Sequence, residues 1–522
     1  MTRPRRSYLL SLPAAGHWPV RRLVGPAMAF TVLLLIGACS APASPSPTPG
    51  ATAPGGSSGP AAADRFAAFS PCIDSRLAGW LCSSLDVPLD RADPSAGTIP
   101  IFVLVHPHTD LSVPAAEPYF TTPGGPGYFG LANTAVFWMG NDAALLKHHD
   151  FVTIDPRGTG QSGAINCADL QDGVASRAEF DAAVMACGAQ LGSASDRYGA
   201  ADRAMDVEAV RAWLGYDQID YHGQSSASID VQAYAARFPE HLRAVVLDSG
   251  YSVTGPDQLI DPAGPASLLD VAQATCAANA DCAKAAPDAR ATLTWLVHKV
   301  TAMPLTGNPT GGGAAVTIDE SAVGRYVTGA DMVTLIEAAA SYQVAGDPQL
   351  LIDIAAANPQ WDTAGDGDYR EYSSGDNIAA TCNDVDAPWL RSDSIAVRRQ
   401  KLVAANAALP DNFFAPWTKA GWDGFNPSDF CINWPAPTRY EAVRPVGSTF
   451  PGMPTLVLAG DRDVNVPIAA SKQLLSIFPD SHFVLIPGAA HTSLSYGQCV
   501  ADLIEGFVEA LTVGVPNCPA PS

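Results

Sequence analysis

The sequence predicts an α/β fold in which a mostly parallel β-sheet is covered by helices and interrupted by an inserted helical cap. Strand-like apolar runs alternate with helix-like segments from residue 150 to 250. Alternation of this kind is typical of parallel strands with both faces buried. It is lost from 251 to 446 and resumes at 454. The segment 218–238 adds a strand, a sharp turn at Ser225 and a helix, an arrangement typical of catalytic serines.

Composition and charge limit the class of protein. The chain has 522 residues, of which 47% are hydrophobic, enough for a large core or for one core with a sizeable insertion. Its net charge of −22 argues against nucleic acid as a partner, because phosphate binding needs clustered lysine and arginine. An acidic surface mainly keeps an exported protein soluble.

The N-terminus predicts export and lipidation. Residues 1–38 contain arginines followed by an apolar run too short to span a membrane, which predicts a signal peptide. The run ends at Cys39 in a sequence that resembles a bacterial lipobox, so we expect a lipid anchor in the outer face of the cell membrane. An ordinary cleaved signal is the alternative, and Arg5 and Arg6 leave Sec and twin-arginine export open. Residues 39–65 are rich in proline, serine and glycine and predict a disordered tether.

Removing Cys39 from the eleven cysteines leaves ten, an even number that indicates disulfides in an oxidising compartment. No pair has Cys-x-x-Cys spacing, so we predict no metal site. His106 and His108 are interpreted as surface residues. The order of the cysteines predicts pairs of sequence neighbours, namely Cys72–Cys82, Cys167–Cys187, Cys276–Cys282, Cys382–Cys431 and Cys499–Cys518.

Taken in order, the chain divides into the first part of the α/β core (66–250), a helical cap (251–446) and the C-terminal part of the core (447–522). Predicted strands are 85–89, 98–105, 150–154, 218–221, 244–248, 454–459 and 483–486. Predicted helices are 202–214, 229–238, 266–278, 287–300, 332–345, 468–478 and 499–511, with Pro287 at the first helical position.

The three residue types needed for nucleophilic catalysis each follow a predicted strand, and their order along the chain is informative. Ser225 stands at the elbow, Asp461 and Asp463 follow the strand at 454–459, and His491 follows the strand at 483–486. A histidine takes the serine proton and an acid orients the histidine. The order serine, aspartate, histidine is that of an α/β-hydrolase.

A glycine-rich loop at 123–127, Pro-Gly-Gly-Pro-Gly, follows an early strand. In a hydrolase with this order of elements, such a loop supplies one N–H of the oxyanion hole and the residue after the nucleophile supplies the other. We therefore predict that the N–H groups of Gly125 and Ser226 bind the oxyanion.

The sequence resembles the tripeptidyl aminopeptidase branch of the prolyl-aminopeptidase-like α/β-hydrolases, found as exported proteins and lipoproteins of actinobacteria. The resemblance covers nearly all of the chain after the tether, and it implies that Asp463 is the acid and His491 the base. At the elbow, the family's Gly-Gly-Ser-Tyr-Gly is replaced by Gly-Gln-Ser-Ser-Ala at 223–227. The matching motifs are the loop at 123–127, Asp-Pro-Arg-Gly-Thr-Gly at 155–160, Cys-Asn-Asp at 382–384, Cys-x-x-Trp-Pro at 431–435, Cys-Val at 499–500 and the ending at 514–518.

The resemblance implies an α/β-hydrolase fold, a monomer without a cofactor, and release of tripeptide-like fragments from peptides with a free N-terminus. The alternatives are a carboxylesterase or acyl-lipid hydrolase on the same triad, and a non-catalytic binding lipoprotein. An aminopeptidase needs a cap carboxylate to pair with the substrate ammonium. The candidates are Asp319, Glu320, Asp331, Glu337 and Asp384.

Overall fold

A computed structural model describes residues 65–128, 144–252, 264–329, 331–359, 365–384, 386–410, 412–425, 429–437, 439, 441–514 and 518. The predicted signal peptide, Cys39 and all but the last residue of the predicted tether lie outside these residues. Within them, no helix combines the length and the apolar character needed to cross a membrane.

The centre of the molecule is a nine-stranded mixed sheet. Its strands are β1 Ser70–Pro71, β2 Leu81–Pro88, β3 Thr98–His106, β4 Tyr119–Thr122, β5 Phe151–Ile154, β6 Ile219–Gln224, β7 Leu242–Asp248, β10 Thr455–Gly460 and β11 Ser481–Ile486; a separate antiparallel pair is β8 Leu305–Gly307 and β9 Val316–Ile318. The strand order in the large sheet is β1-β2-β3-β5-β4-β6-β7-β10-β11. The pairings from β5 onward are parallel, and those among β1, β2, β3 and β5 are antiparallel. The mostly parallel sheet matches the expectation.

Helices cover both faces of this sheet and fill the insertion between β7 and β10. Those of the sheet layers are α1 Ala168–Gln171, α2 Arg177–Leu191, α3 Ala200–Leu214, α4 Ala227–Arg237, α14 Ile468–Gln473 and α15 Gln498–Ala510. Those of the insertion are α5 Gly264–Ala277, α6 Ala280–Ala285, α7 Ala289–Ala302, α8 Glu320–Gly329, α9 Met332–Ala345, α10 Gln349–Ala357, α11 Ser374–Asp384, α12 Ile395–Ala407 and α13 Lys419–Phe425.

The helices predicted at 287–300 and 468–478 have different bounds in the structure. Helix α7 begins at Ala289 because Asp288 is its N-cap and accepts from the N–H of Ala291, so Pro287 precedes the helix and its predicted position was wrong. The helix predicted at 468–478 ends as α-helix at Gln473 and continues as a 3₁₀ turn at Leu474–Ser476.

Three hydrophobic clusters hold the layers together. One lies between the sheet and helices α2 to α4, and another lies on the opposite face under α15. The third belongs to the insertion, where α5, α7 and α9 pack around Leu293 and Leu335. Helix α11 differs from its neighbours, because Ile378 and Cys382 join the cluster beneath the sheet. This part of the insertion therefore packs directly on the hydrolase core.

All five predicted cysteine pairs are disulfide-bonded. Four of them close loops of 20 residues or fewer. The fifth, Cys382–Cys431, links residues 49 apart and joins the end of α11 to the turn before the second core part. Cross-links of this kind restrict the unfolded chain and so stabilise the folded one.

The Asp-Pro-Arg-Gly-Thr-Gly motif has a structural role. Arg157 is completely buried and forms a two-pronged ion pair with Asp206 on α3, at 2.6 and 2.7 Å. The same guanidinium donates to the carbonyl oxygens of Arg197 and Leu89, at 2.9 and 3.1 Å. The motif therefore ties the loop after β5 to the end of β2 and to the first turns of α3.

Replacing Arg157 by leucine is expected to lower the free energy of unfolding by about 3–5 kcal/mol, because it removes one partner of a buried ion pair. Urea unfolding of the wild type and of Arg157→Leu measures this. The control is Arg370→Leu, since Arg370 is 63% exposed and its loss should change stability by about 0.5 kcal/mol or less. Equal losses in the two variants would contradict the assignment.

Candidate active site

Ser225 lies at a sharp turn between a strand and a helix. Strand β6 ends at Gln224 and helix α4 begins at Ala227, so the chain reverses direction at Ser225. Its φ of 53° is in the left-handed region, which is unfavourable for a residue with a side chain and is tolerated where the surroundings impose it. This is the backbone geometry of a nucleophile elbow.

The elbow keeps its tight packing although alanine replaces the last glycine of the pattern. A Cβ added at Gly223 would lie 2.7 Å from the carbonyl oxygen of Ala227 and 2.7 Å from a methyl of Val231, so only glycine fits at the first position. Ala227 is itself 1% exposed, and its methyl is accommodated. The strand and the helix therefore approach as closely as the turn requires.

A continuous chain of hydrogen bonds connects Ser225, His491 and Asp463. Nε2 of His491 is 2.9 Å from Oγ of Ser225, and Nδ1 of His491 is 3.0 and 2.9 Å from the two carboxylate oxygens of Asp463. Asp463 is fully buried. Its Oδ1 also accepts from the backbone N–H groups of Asn465 and Val466, each at 2.9 Å, which fixes the carboxylate in place.

The other candidate acid, Asp461, has a different partner. Its Oδ1 accepts from the backbone N–H of Gly488 at 2.7 Å, so it links the loop after β10 to the loop after β11. Of the two aspartates, Asp463 is therefore the one in contact with His491.

The environment of His491 shifts its protonation. Burial has the largest effect and disfavours the charged imidazolium, but the neighbouring carboxylates together outweigh burial and raise the pKa of His491 above its ordinary value of 6.5, mainly through the charge and hydrogen bond of Asp463. A more distant carboxylate, that of Asp248, acts in the same direction. The ring is thus a stronger base than a free histidine, as a group that accepts a serine proton requires.

The predicted oxyanion loop lies against the elbow. A Cβ at Gly124 would lie 2.7 Å from the carbonyl oxygen of Gln224 and 3.1 Å from Cβ of Ser225, so the loop backbone passes directly over the serine. Gly125 is the next residue of this loop, and Ser226 directly follows the serine. The two predicted donors thus belong to segments that meet at Ser225.

Helix α11 and the residue before it hold this loop, a role that the sequence did not indicate. The N–H of Ser373 donates to the carbonyl oxygen of Gly127 at 2.9 Å, and Nδ2 of Asn377 donates to that of Pro126 at 2.8 Å. Hydrogen bonds to backbone carbonyls follow no spacing rule, so no motif marks these residues. The inserted segment therefore contributes to the shape of the site.

Most of the candidate carboxylates for the substrate ammonium have partners within the protein. Asp319 and Asp331 accept from the first N–H groups of α8 and α9. Glu320 accepts from Thr418. Asp384 accepts from the N–H of Ala200, and burial raises its pKa to about 6. The fifth candidate, Glu337, is half-buried on α9.

The histidines near β3 do not match the expectation of surface residues. His108 is buried, and its Nδ1 is 2.9 Å from Oδ1 of Asp150. His106 is half-buried, and its Nδ1 is 2.8 Å from the carbonyl oxygen of Pro107. The surface assignment was wrong for His108, because the carboxylate of Asp150 satisfies its buried ring. In the part of the chain that the structure describes, no three potential metal ligands cluster.

Two family models match parts of the chain that contain these residues. Residues 122–313 match the family model described as alpha/beta hydrolase fold, and residues 420–518 match the one described as TAP-like protein. The first stretch contains the elbow, and the second contains Asp463 and His491. The α/β-hydrolase fold predicted from the sequence is confirmed.

Among curated proteins, the chain is 27% identical to a tripeptidyl aminopeptidase of Streptomyces lividans over 467 residues, covering 82% of this chain and 81% of the relative. It is 25% identical to the serine protease Hip1 of Mycobacterium tuberculosis over 493 residues, covering 87% and 89%. A solved thermophilic esterase of Thermogutta terrifontis is 14% identical with a TM-score of 0.35, covering 82% of this chain and 99% of that one.

Replacing Asp463 by asparagine is expected to lower the pKa of His491 by roughly 1 unit or more, because the carboxylate that favours the imidazolium is lost. NMR titration of the ring nitrogens measures this value directly. The matched control is Asp461→Asn, which removes a carboxylate two residues before Asp463 that is hydrogen-bonded to Gly488 and not to His491. A pKa that moves equally in both variants would contradict the pairing of His491 with Asp463.

Proposed function

We propose that this serine hydrolase of the α/β-hydrolase fold, a relative of the tripeptidyl aminopeptidases, is an exported aminopeptidase that releases short, tripeptide-like fragments from the free N-termini of peptides. The observation that carries the proposal is the hydrogen-bonded series from Ser225 through His491 to Asp463, at 2.9 Å for each of its two links. The series begins at an elbow serine with a left-handed backbone.

In the proposed reaction, Nε2 of His491 accepts the hydroxyl proton while Oγ of Ser225 attacks the scissile carbonyl carbon. The tetrahedral oxyanion is bound by the N–H groups of Gly125 and Ser226. The imidazolium then gives its proton to the departing amine, and the peptide C–N bond breaks. Water, deprotonated by His491, attacks the acyl-enzyme and releases the N-terminal fragment. Asp463 keeps Nδ1 protonated and stabilises the imidazolium.

The names of the relatives support a peptide substrate, since one is a tripeptidyl aminopeptidase and the other a serine protease. Each of them matches more than four fifths of this chain. Gln224 and Ser226 flank the nucleophile at positions where the family pattern has glycine and tyrosine. They shape the pocket next to the scissile bond and hence the preference for the residue before the cut.

Export to the outer face of the membrane is part of the proposal. Five disulfides in the described residues are typical of an oxidising, extracytoplasmic compartment. The lipobox-like sequence ending at Cys39 supplies the anchor, and the residues after it supply the tether.

The assignment predicts that a fluorophosphonate labels the wild type and that Ser225→Ala abolishes labelling, with turnover of a tripeptide anilide reduced roughly 10⁴-fold or more. Ser476→Ala, which removes an exposed serine, should retain both. N-acetylation of the anilide should suppress its cleavage, because the substrate ammonium is lost. Cleavage of a short acyl ester without any cleavage of the anilide would refute the peptidase assignment, and labelling that persists in Ser225→Ala would refute the nucleophile.

The proposed anchor predicts that Cys39→Ala moves the protein from the membrane fraction to the culture medium or periplasm, since the residue that carries the lipid is lost. Incorporation of a labelled fatty acid should disappear in the same variant. Mutating a paired cysteine such as Cys276 should leave fatty-acid labelling intact. A Cys39→Ala protein that keeps its fatty-acid label would refute lipidation at this residue.

A further inference from the structure

A buried carboxylate at the end of β7 holds the loop that carries the histidine. Asp248 is completely buried. Its Oδ1 accepts from the N–H of Ser493 at 2.8 Å, and its Oδ2 accepts from the N–H of Leu494 at 3.0 Å. These residues come two and three positions after His491. Asp248 therefore fixes the backbone immediately following the proposed base.

The same residue also contacts the elbow. The N–H of Ser225 donates to the carbonyl oxygen of Asp248 at 2.9 Å, and Nε2 of Gln224 lies 3.3 Å from Oδ2 of its side chain. Glutamine stands here at the position where the family pattern has glycine, so the second bond comes from a side chain that glycine lacks. One residue thus joins the two segments that must meet at the reacting atoms.

The neighbouring residue adds a third attachment to the histidine loop. Oγ of Ser249 accepts from the N–H of Thr492 at 2.9 Å. Ser249 and Thr492 have φ values of 51° and 64°, both in the left-handed region that non-glycine residues adopt only where contacts impose it. Consecutive donors from Thr492 to Leu494 therefore meet consecutive acceptors at the end of β7.

We propose that Asp248 is a positioning residue, which acts as a carboxylate to hold Nε2 of His491 on Oγ of Ser225. The inference rests on the proposed function, since it presumes that these two residues react. Three N–H donors converge on one carboxyl group, and hydrogen bonds from donors favour the charged form of a carboxyl group. The three donors therefore favour the ionised form of Asp248.

The charge of Asp248 has a consequence that simple packing would lack. Asp463 and Asp248 are the carboxylates that raise the pKa of His491, against the opposing effect of burial. Burial raises the pKa of Asp248 itself, and its hydrogen bonds to Leu494, Ser493 and Gln224 counteract that effect. Removing the charge of Asp248 is therefore expected to make His491 a weaker base while its packing is kept.

The test is the pH dependence of peptide cleavage by Asp248→Asn. Asparagine keeps the shape but offers one acceptor oxygen to three donors. We expect kcat per fluorophosphonate-titratable site to fall roughly 10- to 100-fold through misplacement of the histidine, with KM nearly unchanged. The acidic limb of the pH profile of kcat/KM reports the pKa of His491 in the free enzyme. We expect this limb to move to lower pH by roughly 0.5 to 1 unit. A limb that stays in place would overturn the proposal.

Two further variants keep the test decisive. Asp220→Asn is the matched control, because Asp220 is a buried carboxylate in β6 that pairs with Arg243; its loss should affect stability but not the acidic limb. If Asp248→Asn fails to fold, Ser249→Ala takes its place and should lower kcat several-fold with the limb unchanged. Unaltered kcat in Ser249→Ala would then overturn the proposal.

The controls separate this inference from the function on which it rests. A wild-type protein that is not labelled by a fluorophosphonate, or whose labelling survives Ser225→Ala, contradicts the proposed triad. Labelling that depends on Ser225, together with an unmoved limb in Asp248→Asn, contradicts only the positioning role.

Discussion

The parallel pairing of four neighbouring strands is the constraint on which the site depends. Strands β6, β7, β10 and β11 lie side by side, and parallel strands end at the same edge of a sheet. Ser225, Asp248, Asp463 and His491 stand at or just after the ends of these strands. The sheet therefore brings Ser225 and His491, 266 residues apart in sequence, to within a hydrogen bond without any long loop having to span the distance.

The insertion between β7 and β10 has two different parts. Helices α5 to α10, together with α12 and α13, form a hydrophobic core of their own. Helix α11 packs on the core beneath the sheet instead, and its first turn holds the loop over Ser225 through Asn377. Arg203 of α3 pairs with Asp376 at 2.7 Å through a buried contact, which fixes α11 from the other side. The shape of the proposed oxyanion site thus depends on residues of the insertion and on residues of the core.

The sequence predicted features that follow from periodicity, chain order or spacing. These include the parallel sheet, the elbow at Ser225, the histidine at 491 and the disulfide pairs. Chain order left Asp461 and Asp463 open as the acid, and only the family resemblance implied Asp463. It did not predict residues whose role is a hydrogen bond to a backbone group. Asn377 is one of them, since an amide that reaches a carbonyl 251 positions away leaves no pattern. The sequence also does not indicate which polar side chains are buried. The surface assignment of His108 was wrong for this reason, since Asp150 forms a hydrogen bond with its buried ring.

The residues of the elbow differ in how much space surrounds them. Position 223 has no room for any side chain, because the backbone of Ala227 and a methyl of Val231 occupy the space, whereas position 227 accepts a methyl and position 224 accepts a whole glutamine. A search for the letters Gly-x-Ser-x-Gly would reject this chain, although the turn at its serine is intact. Free volume at each position, rather than residue identity, is the criterion that would recover divergent members of such a superfamily from their sequences.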